Sequence, residues 1–582
     1  MNKIATLILI FWTIFSNATL VASNLLNIKD DNSIITLSNQ FLSFSFNKKS
    51  AILTAIIQNG VNLLGNGYGS GYLMGPGFSM RSSTFQLVRK TNELIEISFT
   101  HEAANGYYFE LHYVLPVHKS GIYCFLEQYH HDGSPQAGFA QIRWGLRADS
   151  TLFDYHLVRD NMQGRMPQFS EFKKKIQDWT YQLADSSYYT KYDYSDYIEG
   201  RHVHGFAGTK SGKGIFVIQA SHEYLNGGPT KQYNTVHTSP FLIMMFQCNH
   251  FLLDTRISDG QVNGEWRKLG GPFFLYINSG KNINEIWADA NRQAKMELLQ
   301  WPYKWMKHPD YPLKRGVVTG QLFVDGKPAA NAHIILAAHG FDWQAQTLGY
   351  IFAKRADASG NFLIPNVRAG KYTLYAYTDD VTEEFLKNNI QVSKNNITQL
   401  NQLKWIPRRY GDLLWQIGKA DRTTKGFKLS DHNRYYGVFN DVPANLTYII
   451  GQSIPSQDWY YAQTKSGEWD IKFAVHHPSN DTCTLTLGIA GSAKNPRLEI
   501  KINNFEIGNF YFGNDHSIYR SAILSGYYQQ KIIRFPASLL RKGENILSLV
   551  LPSVKYGGGI MYDVLKLEMK NQKYDSIQKN QF

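Results

Sequence analysis

The chain has 582 residues, a formal net charge of +13 and a pI near 9.2. Hydrophobic residues at 43% and charged residues at 18% exclude a disordered or collagen-like chain, and three cysteines (Cys124, Cys248, Cys483) exclude a disulfide-dense scaffold. At roughly 150 residues per domain the length fits three or four units, and the aromatic content of 14% suits strands and sugar-binding surfaces better than helical bundles.

Residues 1–23 (MNKIATLILIFWTIFSNATLVAS) read as a secretory signal peptide, with Lys3 ahead of an apolar core and small residues at Val21-Ala22-Ser23. The apolar run is shorter than the ~20 residues a spanning helix needs, so a secreted chain without stable membrane insertion is expected. The basic residues are dispersed. The longest run, Lys173-Lys174-Lys175, reads as a solvated face. Nucleic acid is therefore not an expected partner, whereas an anionic polysaccharide gains from long-range attraction without a dense patch.

From residue 24, short alternating stretches recur, as at Ile34 to Phe46 and Phe109 to Leu115, with the period of two of half-buried strands. One helical pattern stands out, Ile283 to Gln300, stopping before Trp301-Pro302. The expectation is a large β-sandwich over 24–308 closed by that helix. After HPDYPLKRG comes a strand, an Asp-Gly turn and further Gly-punctuated strands, predicting a small β-sandwich over 311–405. Strands such as WDIKFAV, TCTLTLGIA and NILSLVL then predict a jelly roll over 406–575.

Some motifs carry little chemistry. AGTKSGKG (Ala207 to Gly214) lacks the first glycine and the Ser/Thr of a phosphate-binding loop, and a strand follows it instead of a helix. His202 and His204 share a strand face without an evident third metal ligand. Trp459 and Trp469 suit either sugar stacking or the core. The stretch from Tyr181 to Tyr197 holds six tyrosines. On an extended chain Tyr192 and Tyr194 share one face, with Lys191, Asp193 and Ser195 on the other. Either that aromatic face packs inward or it lines a sugar groove.

TKYDYSDY, LNGGPTKQ, GPFFLYIN and WPYKW stand in that order in the first unit. DASGNFLIPNVRAGKYTLYAY follows in the second, and WQIGKADRTTKGFK, DWYYAQT and SIYRSAILSGYY in the third. On these markers the chain resembles the rhamnogalacturonan lyases of polysaccharide lyase family 4. The resemblance implies a galactose-mutarotase-like β-sandwich, a fibronectin-III-like or prealbumin-like module, and a galactose-binding-like jelly roll. It also implies a reaction: β-elimination at the α-1,4 bond between rhamnose and galacturonic acid in rhamnogalacturonan I, leaving a 4,5-unsaturated uronate.

By motif position Lys191 looks like the family's catalytic lysine, His250 like its catalytic histidine, and Arg143 like the arginine that faces the uronate carboxylate. Arg147, four positions along the same strand, is the competitor to Arg143. Tyr192 and Tyr194 are the expected sugar-binding tyrosines, and His237 is expected in a turn or packing role. No cofactor is expected for catalysis, a structural calcium is left open, and a monomer is expected. One departure stands out: Ile243 and Met245 occupy places where family members carry tyrosines. A pectin-binding protein with impaired catalysis is therefore the alternative. Hydrolysis by paired carboxylates is a third reading, and it would release saturated sugars.

Overall fold

The computed structural model describes residues 25–65, 71–75, 78–80, 83–103, 106–133, 141–248, 251, 264–432, 435–478, 480–520 and 524–570. The expected signal peptide and His250 lie outside the described residues.

The chain is predominantly β, as its alternation requires. The first unit is built from a nine-stranded sheet, a five-stranded sheet that includes Gln141–Arg147 and Phe241–Cys248, and a five-stranded N-terminal sheet. They share one core, in which Phe46, Leu111, Trp144, Phe246 and Phe273 are fully buried. The other face of the nine-stranded sheet carries a second layer. There Phe216 and Phe274 pack against Ile286, Trp287, Ala290 and Ala294 of the helix Ile283–Gln300. That helix starts where the Asn282 side chain accepts from the Glu285 backbone N–H, an ordinary N-cap.

The middle unit packs two four-stranded sheets around Val318, Leu336, Ile364 and Leu374. In one of them Gly316–Val324 pairs in parallel with Ile397–Trp405. The last unit packs two five-stranded sheets. Trp459 and Trp469 are both fully buried between them, with ring centroids 5.1 Å apart, so both are core residues and neither offers a sugar-stacking face.

The three units are tied together through buried polar contacts. Glu223 of the first unit accepts from Arg315 Nη1 at 2.6 Å, and from Arg368 of the middle unit at 2.8 Å. Gln344 of the middle unit donates to the Tyr528 carbonyl of the last unit. Between the first and last units, the Tyr192 hydroxyl lies 2.9 Å from that of Tyr436, and Tyr188 stacks on Tyr435 at 4.5 Å.

Local geometry disposes of two motifs. AGTKSGKG is the turn of a β-hairpin joining Val203–Ala207 to Lys213–Ile218. His204 is buried between Arg201 and the Ile243 carbonyl, while His202 bonds the Gln219 carbonyl and stacks on His222. The two histidines serve separate hydrogen bonds. Lys173, Lys174 and Lys175 are exposed on the strand Phe172–Gln177, as a solvated face should be.

Candidate active site

The strand Gln141–Arg147 alternates cleanly. Ile142, Trp144 and Leu146 point into the core with no exposed surface, which turns Arg143 and Arg147 to the opposite face. Gly145 stands between them. A Cβ there would lie 2.7 Å from the Phe241 ring, so the glycine makes room for that ring between the two guanidinium stems. The neighbouring strand Phe241–Cys248 sets Phe241 across from Arg147, Ile243 across from Gly145 and Met245 across from Arg143. The Phe241 ring sits 5.4 Å from the Arg147 guanidinium, a cation–π distance.

Lys191 arrives from a different sheet. Phe172–Gln177, Thr180–Leu183 and Tyr188–Thr190 form a three-stranded sheet, and the Lys191 backbone N–H donates to the Trp179 carbonyl at its end. Beyond Thr190 the chain turns. Asp193 N–H bonds the Thr190 carbonyl, and Ser195 N–H bonds the Tyr192 carbonyl. Strand alternation therefore does not apply to residues 191–194. Lys191 and Asp193 do not act as a face-sharing pair. The lysine's partner is Asp178, in the turn between the first two strands, at 2.5 Å.

These elements enclose a cavity of about 230 Å³ lined by Gln141, Arg143, Arg147, Asp178, Trp179, Lys191, His237, Phe241, Ile243 and Arg520. Arg143 and Lys191 are thus brought together, with Arg147 beside them. Tyr192 and Tyr194 are not in the lining. Tyr192 is fully buried against Phe251 and Tyr436 at the contact with the last unit, and Tyr194 stacks on His156 at 3.9 Å. Their places follow from the turn at 191–194, which sends consecutive side chains into different surroundings. A larger cavity of about 520 Å³ between the first and middle units contains none of the expected site residues. The arginine–lysine convergence singles out the smaller one.

The Lys191 side chain is buried while its Asp178 partner is half exposed. Desolvation, the largest influence, pulls the ammonium below the usual lysine range, Asp178 opposes it, and Arg143 and Arg520 add to the lowering. His237 packs its ring against Trp179 at 4.7 Å and Phe241 at 4.9 Å, and its Nδ1 contacts the Thr238 carbonyl. Burial drives it well below the ordinary imidazole value, with Lys191 and Arg147 contributing, so it is neutral at ordinary pH.

Sequence reasoning missed Asp178, Trp179 and Arg520 and gave His237 only a turn or packing role. Asp178 and Trp179 are turn residues between two short strands, with no periodic signal to mark them. Arg520 comes from the last unit, within the marker SIYRSAILSGYY, and no local pattern ties it to residues of the first unit.

Comparison with known proteins agrees with this architecture. Residues 15–186 match the description "Rhamnogalacturonate lyase family", residues 326–400 "Polysaccharide lyase family 4, domain II", and residues 413–567 "Polysaccharide lyase family 4, domain III". A rhamnogalacturonate lyase of Dickeya dadantii is 32% identical over 494 residues, covering 83% of this chain and 82% of that protein. A probable rhamnogalacturonate lyase B of Aspergillus terreus is 24% identical over 667 residues, covering 95% and 98% respectively. A family 35 carbohydrate-binding module from an environmental isolate matches 18% of this chain and 68% of its own at 18% identity, with a TM-score of 0.14.

A three-part β-sandwich chain with a cationic cavity lined from its first and last units fits a polysaccharide lyase. This chain belongs to the rhamnogalacturonate lyase family, polysaccharide lyase family 4.

Proposed function

We propose that this chain is a secreted lyase acting on rhamnogalacturonan I, cleaving the α-1,4 bond between rhamnose and galacturonic acid by β-elimination. The observation that carries the reading is one cavity in which a buried Lys191 meets Arg143, Arg147 and Arg520. The C5 proton of a uronate is scarcely acidic while the adjacent carboxylate is negative. Guanidinium groups facing that carboxylate stabilise the enolate-like transition state as negative charge spreads onto it. A neutral amine beside C5 is then the base.

In this scheme Lys191 takes the C5 proton, the freed electron pair forms the C4–C5 double bond, and the C4–O bond breaks. The departing oxygen leaves on the rhamnose end and takes up a proton. His250 is assigned to assist this transfer on family resemblance. No water is consumed, the three guanidinium groups supply the positive charge, and we assign no cofactor to the step. The lowered pKa of Lys191 supports its role as base, because an ordinary lysine, near 10.4, holds almost no neutral amine at pH 7.

The alternative is a pectin-binding protein with impaired catalysis. Its supporting observation is the apolar Ile243 in the cavity lining, where a hydroxyl could have held a sugar. One incubation separates the two. Debranched rhamnogalacturonan I mixed with the full chain should gain the ultraviolet absorbance of an unsaturated uronate. Binding without that absorbance would favour the alternative, and saturated fragments would point to hydrolysis.

A further inference from the structure

We propose that Glu110, His112 and Glu127 form a binding site for one divalent transition-metal ion, zinc by preference, on the helix-covered face of the nine-stranded sheet. The three ligand atoms lie within 4.8 Å of one another. Glu110 and Glu127 stand directly opposite each other on the paired strands Tyr107–Pro116 and Gly121–His130. Like charges facing across strands repel, and both side chains are only 18% exposed, so they call for positive charge beside them.

The histidine is set up as a ligand. His112 is 5% exposed and stacks on Phe125 at 4.3 Å, which fixes the ring plane. Its Nδ1 lies 3.1 Å from Glu96 Oε1, so that nitrogen keeps its proton, and Nε2 becomes a ligand by giving up its own proton as the ion enters. A carboxylate behind a ligating imidazole is the usual outer-sphere support of a metal-binding histidine. Buried Nε2 makes no hydrogen bond, yet it lies 3.3 Å from Oε1 of both Glu110 and Glu127. Bonds of ~2.0–2.1 Å in a tetrahedron place neighbouring ligands about 3.3 Å apart, so this spacing fits zinc. One nitrogen and two carboxylate oxygens suit a borderline cation better than a hard one.

The surrounding groups are accounted for. Arg89 pairs with Glu96 at 2.6 Å, and the Tyr108 hydroxyl donates to Glu110 Oε2. Buried Ser98 Oγ makes no hydrogen bond. His308 Nε2 contacts Glu127 Oε1 at 2.7 Å, so the ion must share or displace that contact. Glu127 also lines a cavity of about 350 Å³, which offers an entry route and room for water as fourth ligand.

The test uses tag-free full-length protein, stripped with chelator, reloaded with Zn²⁺ alone and gel-filtered. Mass spectrometry should find about one zinc per chain, falling to background in the Glu110→Gln, Glu127→Gln double variant. Crystals of the unaltered protein soaked in Zn²⁺ should show an anomalous peak between the three side chains, a readout that needs no variant. Zinc retained equally by the double variant, or no peak at this position, would overturn the proposal and leave a closed proton-bridged network instead.

Discussion

If Lys191 is the base, the Asp178→Asn variant makes the sharpest use of the geometry. Only neutral Lys191 can accept the C5 proton, and Asp178 favours the ammonium form. At their 2.5 Å separation the charge pair is worth about 1.7 kcal/mol in a water-like dielectric. The aspartate is half exposed, and screening brings such pairs to about 1 kcal/mol or less. Removing the aspartate charge therefore enlarges the neutral-amine fraction by about fivefold at any pH well below the lysine's titration. The assay is kcat/KM for unsaturated uronate release, measured from acid to alkaline pH. Activity should rise with pH in both proteins, and the rising limb should move to lower pH in the variant. The alkaline plateau falls, because the lysine loses a positioning partner. A limb that stayed put, or moved to higher pH, would refute the view that Lys191 titrates in that limb under the pull of Asp178.

Arg520→Ala should lower kcat/KM by about 10- to 100-fold, the value of a charge-assisted contact at ~1.5–3 kcal/mol, while the unfolding midpoint holds; an unchanged kcat/KM would remove the last unit from the site. Glu223→Gln leaves Arg315 and Arg368 without their buried counter-charge, so urea unfolding should show a loss of about 3–5 kcal/mol, and a loss below about 1 kcal/mol would mean that water or neighbouring carbonyls already satisfy these arginines. Raising the salt concentration should raise KM for the polyanionic substrate more than it lowers kcat, since screening acts on encounter and exposed charge; a salt-independent KM would contradict electrostatic capture by the cavity.

Strand alternation made most of the β architecture legible, because a half-buried strand must place every second residue in the core. Gly467–Val475 and Gly543–Leu551 are clear examples, and the helix Ile283–Gln300 was equally plain from its spacing and its stop before Trp301-Pro302. The same rule put Arg143 and Arg147 on one face, and both line the cavity. It failed at residues 191–194, where the backbone turns and the period of two no longer holds; Tyr192 went to the contact with the last unit and Tyr194 onto His156. Asp178 and Arg520 were out of reach for another reason. A turn residue and a residue 329 positions beyond Lys191 meet the lysine only through tertiary packing, which leaves no local pattern. Trp459 and Trp469 suited sugar and core alike until their burial decided between them.

The proposed reaction turns on removal of the C5 proton by the Lys191 amine. Lys191→Ala, assayed on debranched rhamnogalacturonan I alongside a binding measurement, tests it most directly. Turnover should fall by about 10²–10⁴-fold, the usual span for a lost general base, with polysaccharide affinity largely retained through the arginines. Near-normal release of unsaturated uronate by that variant would contradict it.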